Sequence, residues 1–249
     1  FNAIKEYKEN FVKEIMEDIY NRGKIPILVG GTGFYIQAVL NDIAFTKEKQ
    51  GDEIRADLQN LAKEKGASYL HHELQKVDKE SAEAIHPNNI KRVIRALEYF
   101  QSTGQKFSDH NKEERQKGSP YNFLYLVLTM NREVLYERID KRVDQMMEEG
   151  LVKEVKELLD AGYSRNLVSM QGLGYKEIAS ALFKECTMEE AVYRLKRDTR
   201  HFAKRQMTWF RRERDVTMID KDNFLNNHEI VNYIMKLAAE KGICSCREG

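Results

Sequence analysis

Apolar positions along this chain recur with two different rhythms, and the changes of rhythm mark its elements. From Phe1 the spacing is helical, with Phe11, Ile15, Ile19 and Tyr20 on the side that should be buried, until Asn21-Arg22-Gly23 ends the helix. Lys24 to Val29 is then a short, almost wholly apolar run. Such runs predict a strand buried on both faces, as in a parallel sheet covered by helices. The strand should stop at Gly30-Gly31-Thr32-Gly33, after which Phe34 to Leu40 turns back into helix. A second apolar run, Phe123 to Thr129, predicts another buried strand, and Asp215 to Ile219 a weaker one.

The stretch from about 45 to 117 has a different pattern. It is polar and helical over Glu53 to Lys65, Ser68 to Lys76 and Glu80 to Ile85, breaks at His86-Pro87-Asn88-Asn89, and is helical again from Ile90 to Ser102. After the second strand, Asn131 is placed to cap a helix that runs through Met147, because its side chain accepts from an unpaired backbone N–H. Gly150 divides this helix from Val152 to Leu159, which ends at Ala161-Gly162. Strands separated by helices predict an α/β core made of 1–44 and 118–249, with an all-helical insertion at 45–117.

Composition narrows the class. The 249 residues are 41% hydrophobic and 33% charged with three prolines, which suits a helix-rich globular protein and argues against disorder. No run approaches the roughly 18 apolar residues of a membrane span, and no signal-peptide pattern is present, so a cytoplasmic protein is expected. Cys186, Cys244 and Cys246 make no disulfide framework, and Cys244-x-Cys246 lacks two further ligands for a metal site.

Charge changes the picture more. The formal net charge is +1, yet Arg194 to Arg214 holds nine basic residues against Asp198 and Glu213, a local net of +7. The other residues carry 32 basic and 38 acidic side chains, a net of −6. Positive charge concentrated in this way, interleaved with His201, Phe202, Trp209 and Phe210, points to a polyanion site, with a solvated helix face as the alternative. Along this helix Leu195, Phe202 and Trp209 form an apolar seam, while Arg197, Lys204 and Arg211 repeat on another side, ready for phosphates.

Two smaller features could carry chemistry. The Gly30-Gly31-Thr32-Gly33 turn lets a ligand approach the backbone closely, and the following helix start favours an anion. It matches neither the dinucleotide nor the P-loop glycine pattern, so a tight turn with no ligand stays open. Arg138 and Arg142 lie on one helix face beside the apolar stripe Leu135, Ile139, Val143, Met146 and Met147. They could grip a diphosphate bidentately or pair with surface carboxylates such as Glu137 and Asp140.

Six strings, taken in order, resemble the tRNA dimethylallyltransferase family. They are I-P-I-L-V-G-G-T-G-F-Y (25–35), H-P-N-N-I-K-R-V-I-R-A-L-E (86–98), S-T-G (102–104), R-I-D-K-R-V-D-Q-M (138–146), Q-G-L-G-Y-K-E (171–177) and A-K-R-Q-M-T-W-F-R (203–211). The resemblance implies a P-loop-type parallel-sheet core with a helical insertion that grips the tRNA anticodon stem-loop. It implies transfer of a dimethylallyl group from dimethylallyl diphosphate to N6 of the adenine 3′ of the anticodon, position 37, extruded into a channel. By position, Thr32 should line that channel with Gly30 and Gly31, and Arg138 and Arg142 should lie near the diphosphate. Arg55 and Lys91, Arg92, Val93, Ile94 and Arg95 should meet tRNA from the insertion. Gln171, Gly172, Leu173, Gly174, Tyr175 and Lys176 should meet it from the core, with Lys204 and Arg205 on the basic helix. The family's P-loop and its aspartate base have no counterpart among these 249 residues. The resemblance therefore expects them upstream of Phe1, together with most ligands of a Mg²⁺ ion, and expects no turnover from these residues alone. A monomer is expected. A nucleotide kinase of the same core and a non-catalytic RNA-binding fragment are the competing readings.

Overall fold

The structure, a computed structural model, describes residues 11–43 and 51–244, which fall into two compact units. One unit holds residues 11–28, 34–43 and 51–121, and the other holds 29–33 and 122–244. The helical insertion is therefore compact, but residues 11–28 and 34–43 cluster with it rather than with 122–244.

In the first unit, α1 (Lys13–Asn21) and α2 (Gly33–Leu40) precede α3 (Gly51–Lys65), α4 (Ala67–Val77), α5 (Lys79–Ala84), α6 (Ile90–Thr103) and α7 (Phe107–Gln116). Apolar residues three and four apart on α3, α4 and α6 close on one core of Leu58, Leu70, Leu74, Val93, Ile94 and Leu97. Gly66 and Gly104, at φ +85° and +72°, end α3 and α6 at positive φ, where a side chain would be strained, and Gly104 does so in the left-handed helical conformation.

Asp78 ties this core together although it is almost fully buried. It caps α5 by accepting from the Ser81 N–H at 3.0 Å and hydroxyl at 2.6 Å, and it accepts from the Ser108 N–H of α7 at 2.9 Å. Burial pushes this carboxyl up, but the Ser81 and Ser108 hydrogen bonds outweigh it and hold it below the ordinary carboxylate value. The stability it adds is present above that value and lost as pH falls through the folded one. Asp78→Ala should lower the unfolding free energy by about 2–3 kcal/mol in urea titration, since a cap is lost and a buried donor stranded. A loss below about 0.5 kcal/mol would show that the cap contributes nothing.

Two expectations for the N-terminal part do not hold. Lys24 to Val29 forms no strand, and Ile27 and Val29 are more than four-fifths exposed. A strand buried on both faces needs ladder partners and covering helices, and among the described residues only two other strands pair. On α1, Phe11, Ile15 and Tyr20 are exposed, while Val12 is buried and Met16 and Ile19 are half-buried. The apolar spacing specified a helix, but not a layer to cover that face.

The second unit carries the sheet. β1 (Tyr125–Thr129) pairs in parallel with β2 (Val216–Asp220), Tyr125 opposite Val216 and Thr129 opposite Asp220. β2 starts one residue later than the sequence predicts because Asp215 sits at φ +57°, outside strand geometry. Between the strands run α8 (Arg132–Glu148), α9 (Leu151–Asp160), α10 (Tyr175–Leu182) and α11 (Met188–Phe210), and α12 (Asn227–Glu240) follows β2. Asn131 caps α8 as expected, accepting from the Glu133 N–H at 2.8 Å. Gly150 turns the chain at φ +101°. The core is Val143, Leu151, Val155, Met170, Ile178 and Leu195, and Leu135, Ile139, Met146 and Met147 flank Val143 on the inner side of α8. This is an α/β fold with a small parallel sheet. Tyr125 meets Phe210 edge-on at 6.3 Å. Burial and the nearby Glu213 charge push the Tyr125 hydroxyl up to about 12, so stability from keeping it neutral is lost only as pH rises through 10 to 12.

Candidate nucleic-acid and diphosphate site

The basic helix α11 divides into two halves of different chemistry. In its first half each cation has a carboxylate: Arg194 with Glu190, Lys196 with Asp144 at 2.6 Å, Arg197 with Asp198 at 2.8 Å and Arg200 with Asp140 at 2.6 Å. Asp140 and Asp144 come from α8, so these pairs bolt the two helices together. Beyond Arg200 the pattern ends. Lys204, Arg205, Arg211 and Arg212 enter no ion pair among the described residues, and all four are exposed. In the stripe read from the sequence, Arg197 has a carboxylate partner, whereas Lys204 and Arg211 have none among the described residues. His201, Lys204, Arg205 and Thr208 line a cleft of about 390 Å³, and the Arg205 guanidinium lies 6.0 Å from the Phe202 ring. The expected apolar seam holds only at Leu195; Phe202 and Trp209 are about two-fifths exposed. A seven-residue spacing drifts around a straight helix, and the ion pairs to α8 lie at Lys196 and Arg200, before Phe202 and Trp209.

The same half of α11 grips the glycine turn. Gln206 donates through Nε2 to the Gly31 carbonyl at 2.7 Å. A Cβ on Gly33 would lie 2.2 Å from Trp209 Nε1, so that glycine is required by the close approach of the ring, whereas one on Gly31 would lie 2.6 Å from Gln206 Nε2 and would displace the end of that side chain. Thr32 stands exposed between them, beside exposed Gly30. Gln206 and Trp209 were not legible as site residues: both are ordinary members of the A-K-R-Q-M-T-W-F-R string, and the seven-residue spacing that includes Trp209 reads only as an apolar seam.

Arg138 and Arg142 are both exposed on α8. Arg142 makes an exposed pair with Glu149 at 3.3 Å, whereas Arg138 has no ion pair among the described residues, and the Asp140 carboxylate expected to compete is taken by Arg200. The Q-G-L-G-Y-K segment forms the turn into α10. Gly174, at φ +99°, is held there by its N–H donating to the buried Glu177 carboxylate at 2.9 Å, and Leu173 packs on the core. Tyr175 donates to Glu154, and Gln171 donates to the Arg165 carbonyl at 2.6 Å. Gln171, Lys176, Arg165, Arg194 and Arg197 line a cleft of about 480 Å³. At its rim Arg165 holds the Glu185 carboxyl down to about 2.

In the helical unit, Lys91 and Arg92 are exposed at the start of α6. Val93 and Ile94, grouped with them from the sequence, are corrected here, because both point into the core and their side chains serve packing. Arg95 is mostly covered and lies 3.5 Å from Glu98, and Arg55 binds that same carboxylate at 2.6 and 3.2 Å. Glu98 is fully buried and was missed, since nothing in a helical pattern distinguishes a buried glutamate from a solvated one.

Among the described residues no group of three or more His, Cys, Asp or Glu side chains is placed to hold a metal ion. Cys186 and Cys244 carry free thiols, Cys246 lies outside the described residues, and no described helix is long and apolar enough to cross a membrane.

Comparison with known proteins accounts for the constellation. The family model of IPP transferases matches residues 2–213. The tRNA dimethylallyltransferase of Lachnoclostridium phytofermentans is 55% identical over 243 residues, 98% of this chain and 77% of that protein, and the Acetivibrio thermocellus enzyme is 46% identical over 97% and 77%. Among solved structures, the full-length tRNA isopentenylpyrophosphate transferase of Bacillus halodurans aligns with a TM-score of 0.65 at 40% identity, over 96% of this chain and 75% of that one. A eukaryotic dimethylallyltransferase acting on tRNA aligns at 0.73 with 26% identity, over 95% and 62%. With its clamped glycine turn, its half-free basic helix and these matches, the chain belongs to the IPP transferase family, the tRNA dimethylallyltransferases.

Proposed function

We propose that this protein, acting as a monomer in the cytoplasm, transfers a dimethylallyl group from dimethylallyl diphosphate to N6 of adenine 37 of tRNA. The observation that carries this reading is the second half of α11, where unpaired Lys204 and Arg205 adjoin the residue that holds the G-G-T-G turn. Thr32 presents its hydroxyl toward the target nucleotide, Arg138 and Arg142 meet the diphosphate, and the turn 171–176 contacts the anticodon loop. From the helical unit the tRNA contacts fall to Lys91 and Arg92, with Arg55 through its exposed edge. Mg²⁺, when bound, would screen the diphosphate charge; no protein step above depends on it. A nucleotide kinase would have no use for the unpaired basic face.

Binding tests this first. The chain should bind an anticodon stem-loop, with affinity falling steeply as salt rises, because each neutralised phosphate releases counterions. Lys204→Ala/Arg205→Ala should flatten the log-log salt slope by about 1.5 to 2, measured by fluorescence anisotropy. No binding at low salt by a folded sample, or an unchanged slope in the double variant, would overturn the assignment.

A further inference from the structure

We infer that Gln206 and Trp209 are positioning residues that set the turn at Thr32 for the target base, so that one helix both draws in phosphate and shapes the seat of the nucleotide. A turn containing three glycines has little conformational preference of its own, so its shape has to be imposed from outside. α11 imposes it at two points one helical turn apart. Gln206 fixes the Gly31 carbonyl at 2.7 Å, and the Trp209 ring fills the space that any side chain at position 33 would need. Thr32 lies between the two fixed residues, exposed, with both neighbours held. Lys204 and Arg205 are adjacent on the same helix but point to solvent. Affinity for the RNA backbone and recognition of the base are thereby carried by different side chains of one rigid element, and they should be separable.

This inference rests on the reading that Thr32 lines the channel for the extruded adenine, and the test distinguishes the two. Two stem-loops identical except for adenine or an abasic residue at position 37 are titrated by anisotropy. Wild type should prefer the adenine loop by roughly fivefold to tenfold, the worth of one base's contacts. Thr32→Ala and Gln206→Leu should each lose most of that preference while binding the abasic loop within about twofold of wild type, because phosphate contacts are untouched. The double variant should be no worse than either single, since both remove the same interaction. Trp209→Phe supplies the second route if Gln206→Leu melts early, and should lose the preference likewise. If Thr32→Ala loses the preference but Gln206→Leu and Trp209→Phe keep it, the positioning role is wrong and the channel reading stands. If wild type binds both loops alike, the channel reading fails and this inference fails with it. Additive losses in the double variant would assign Gln206 a merely structural role and overturn the inference.

Discussion

Arg138→Ala and Arg142→Ala each lower kcat by roughly tenfold to a thousandfold if they stabilise charge developing on the departing diphosphate. A donor that follows developing charge acts on the transition state more than on bound substrate, so KM for tRNA should hardly move. The structure sharpens the comparison between the two. Arg142 is held by Glu149 in a pair more than half exposed, and such pairs are worth only about 0–1 kcal/mol, so a diphosphate would displace the carboxylate. Arg138 has no such competitor among the described residues and should show an effect at least as large. Glu149→Ala is the control, with kcat unchanged or slightly raised. The measurement is steady-state prenyl transfer on a form of the protein that supports turnover, varying each substrate in turn. A change confined to the tRNA KM in both arginine variants would remove them from the diphosphate.

Arg55→Ala destabilises the helical unit by about 3 kcal/mol, because it leaves the buried Glu98 carboxylate without its bidentate partner. The low end of the range for breaking a buried pair applies, since Arg95 remains 3.5 Å away. Arg55→Ala/Glu98→Gln should recover part of that loss, as the stranded charge is gone. Urea unfolding of the two single variants and the double closes the cycle. If the double loses the full sum of the singles, Arg55 and Glu98 do not act as a pair. Weaker tRNA binding by Arg55→Ala alone would then need reading against stability, whereas Lys91→Ala and Arg92→Ala, both exposed, should weaken binding with stability intact.

Local chemistry carried much of this protein's description into its sequence. The Asn131 cap, the break at Gly150, the runs that become β1 and β2, and the helices of 51–103 all follow from interactions within a few residues, so their signals are local. The family was legible too, because six short strings in order are improbable by chance in an unrelated chain.

What the sequence could not decide was which groups meet. Lys24 to Val29 has the composition of a buried strand, yet it has no ladder partner among the described residues, because a strand is a property of a pair and not of a segment. The basic residues of α11 look alike in a row; packing against Asp140 and Asp144 is what bolts Lys196 and Arg200, while Lys204 and Arg205 are left for phosphate. Glu98 and Gln206 gain their roles solely from what lies across the fold, a pair of arginines in one case and a glycine carbonyl in the other. Periodicity specifies the face of an element. Coulomb and hydrogen-bond partners come from elements distant in the chain, and tertiary structure alone sets them within the few ångströms where they act.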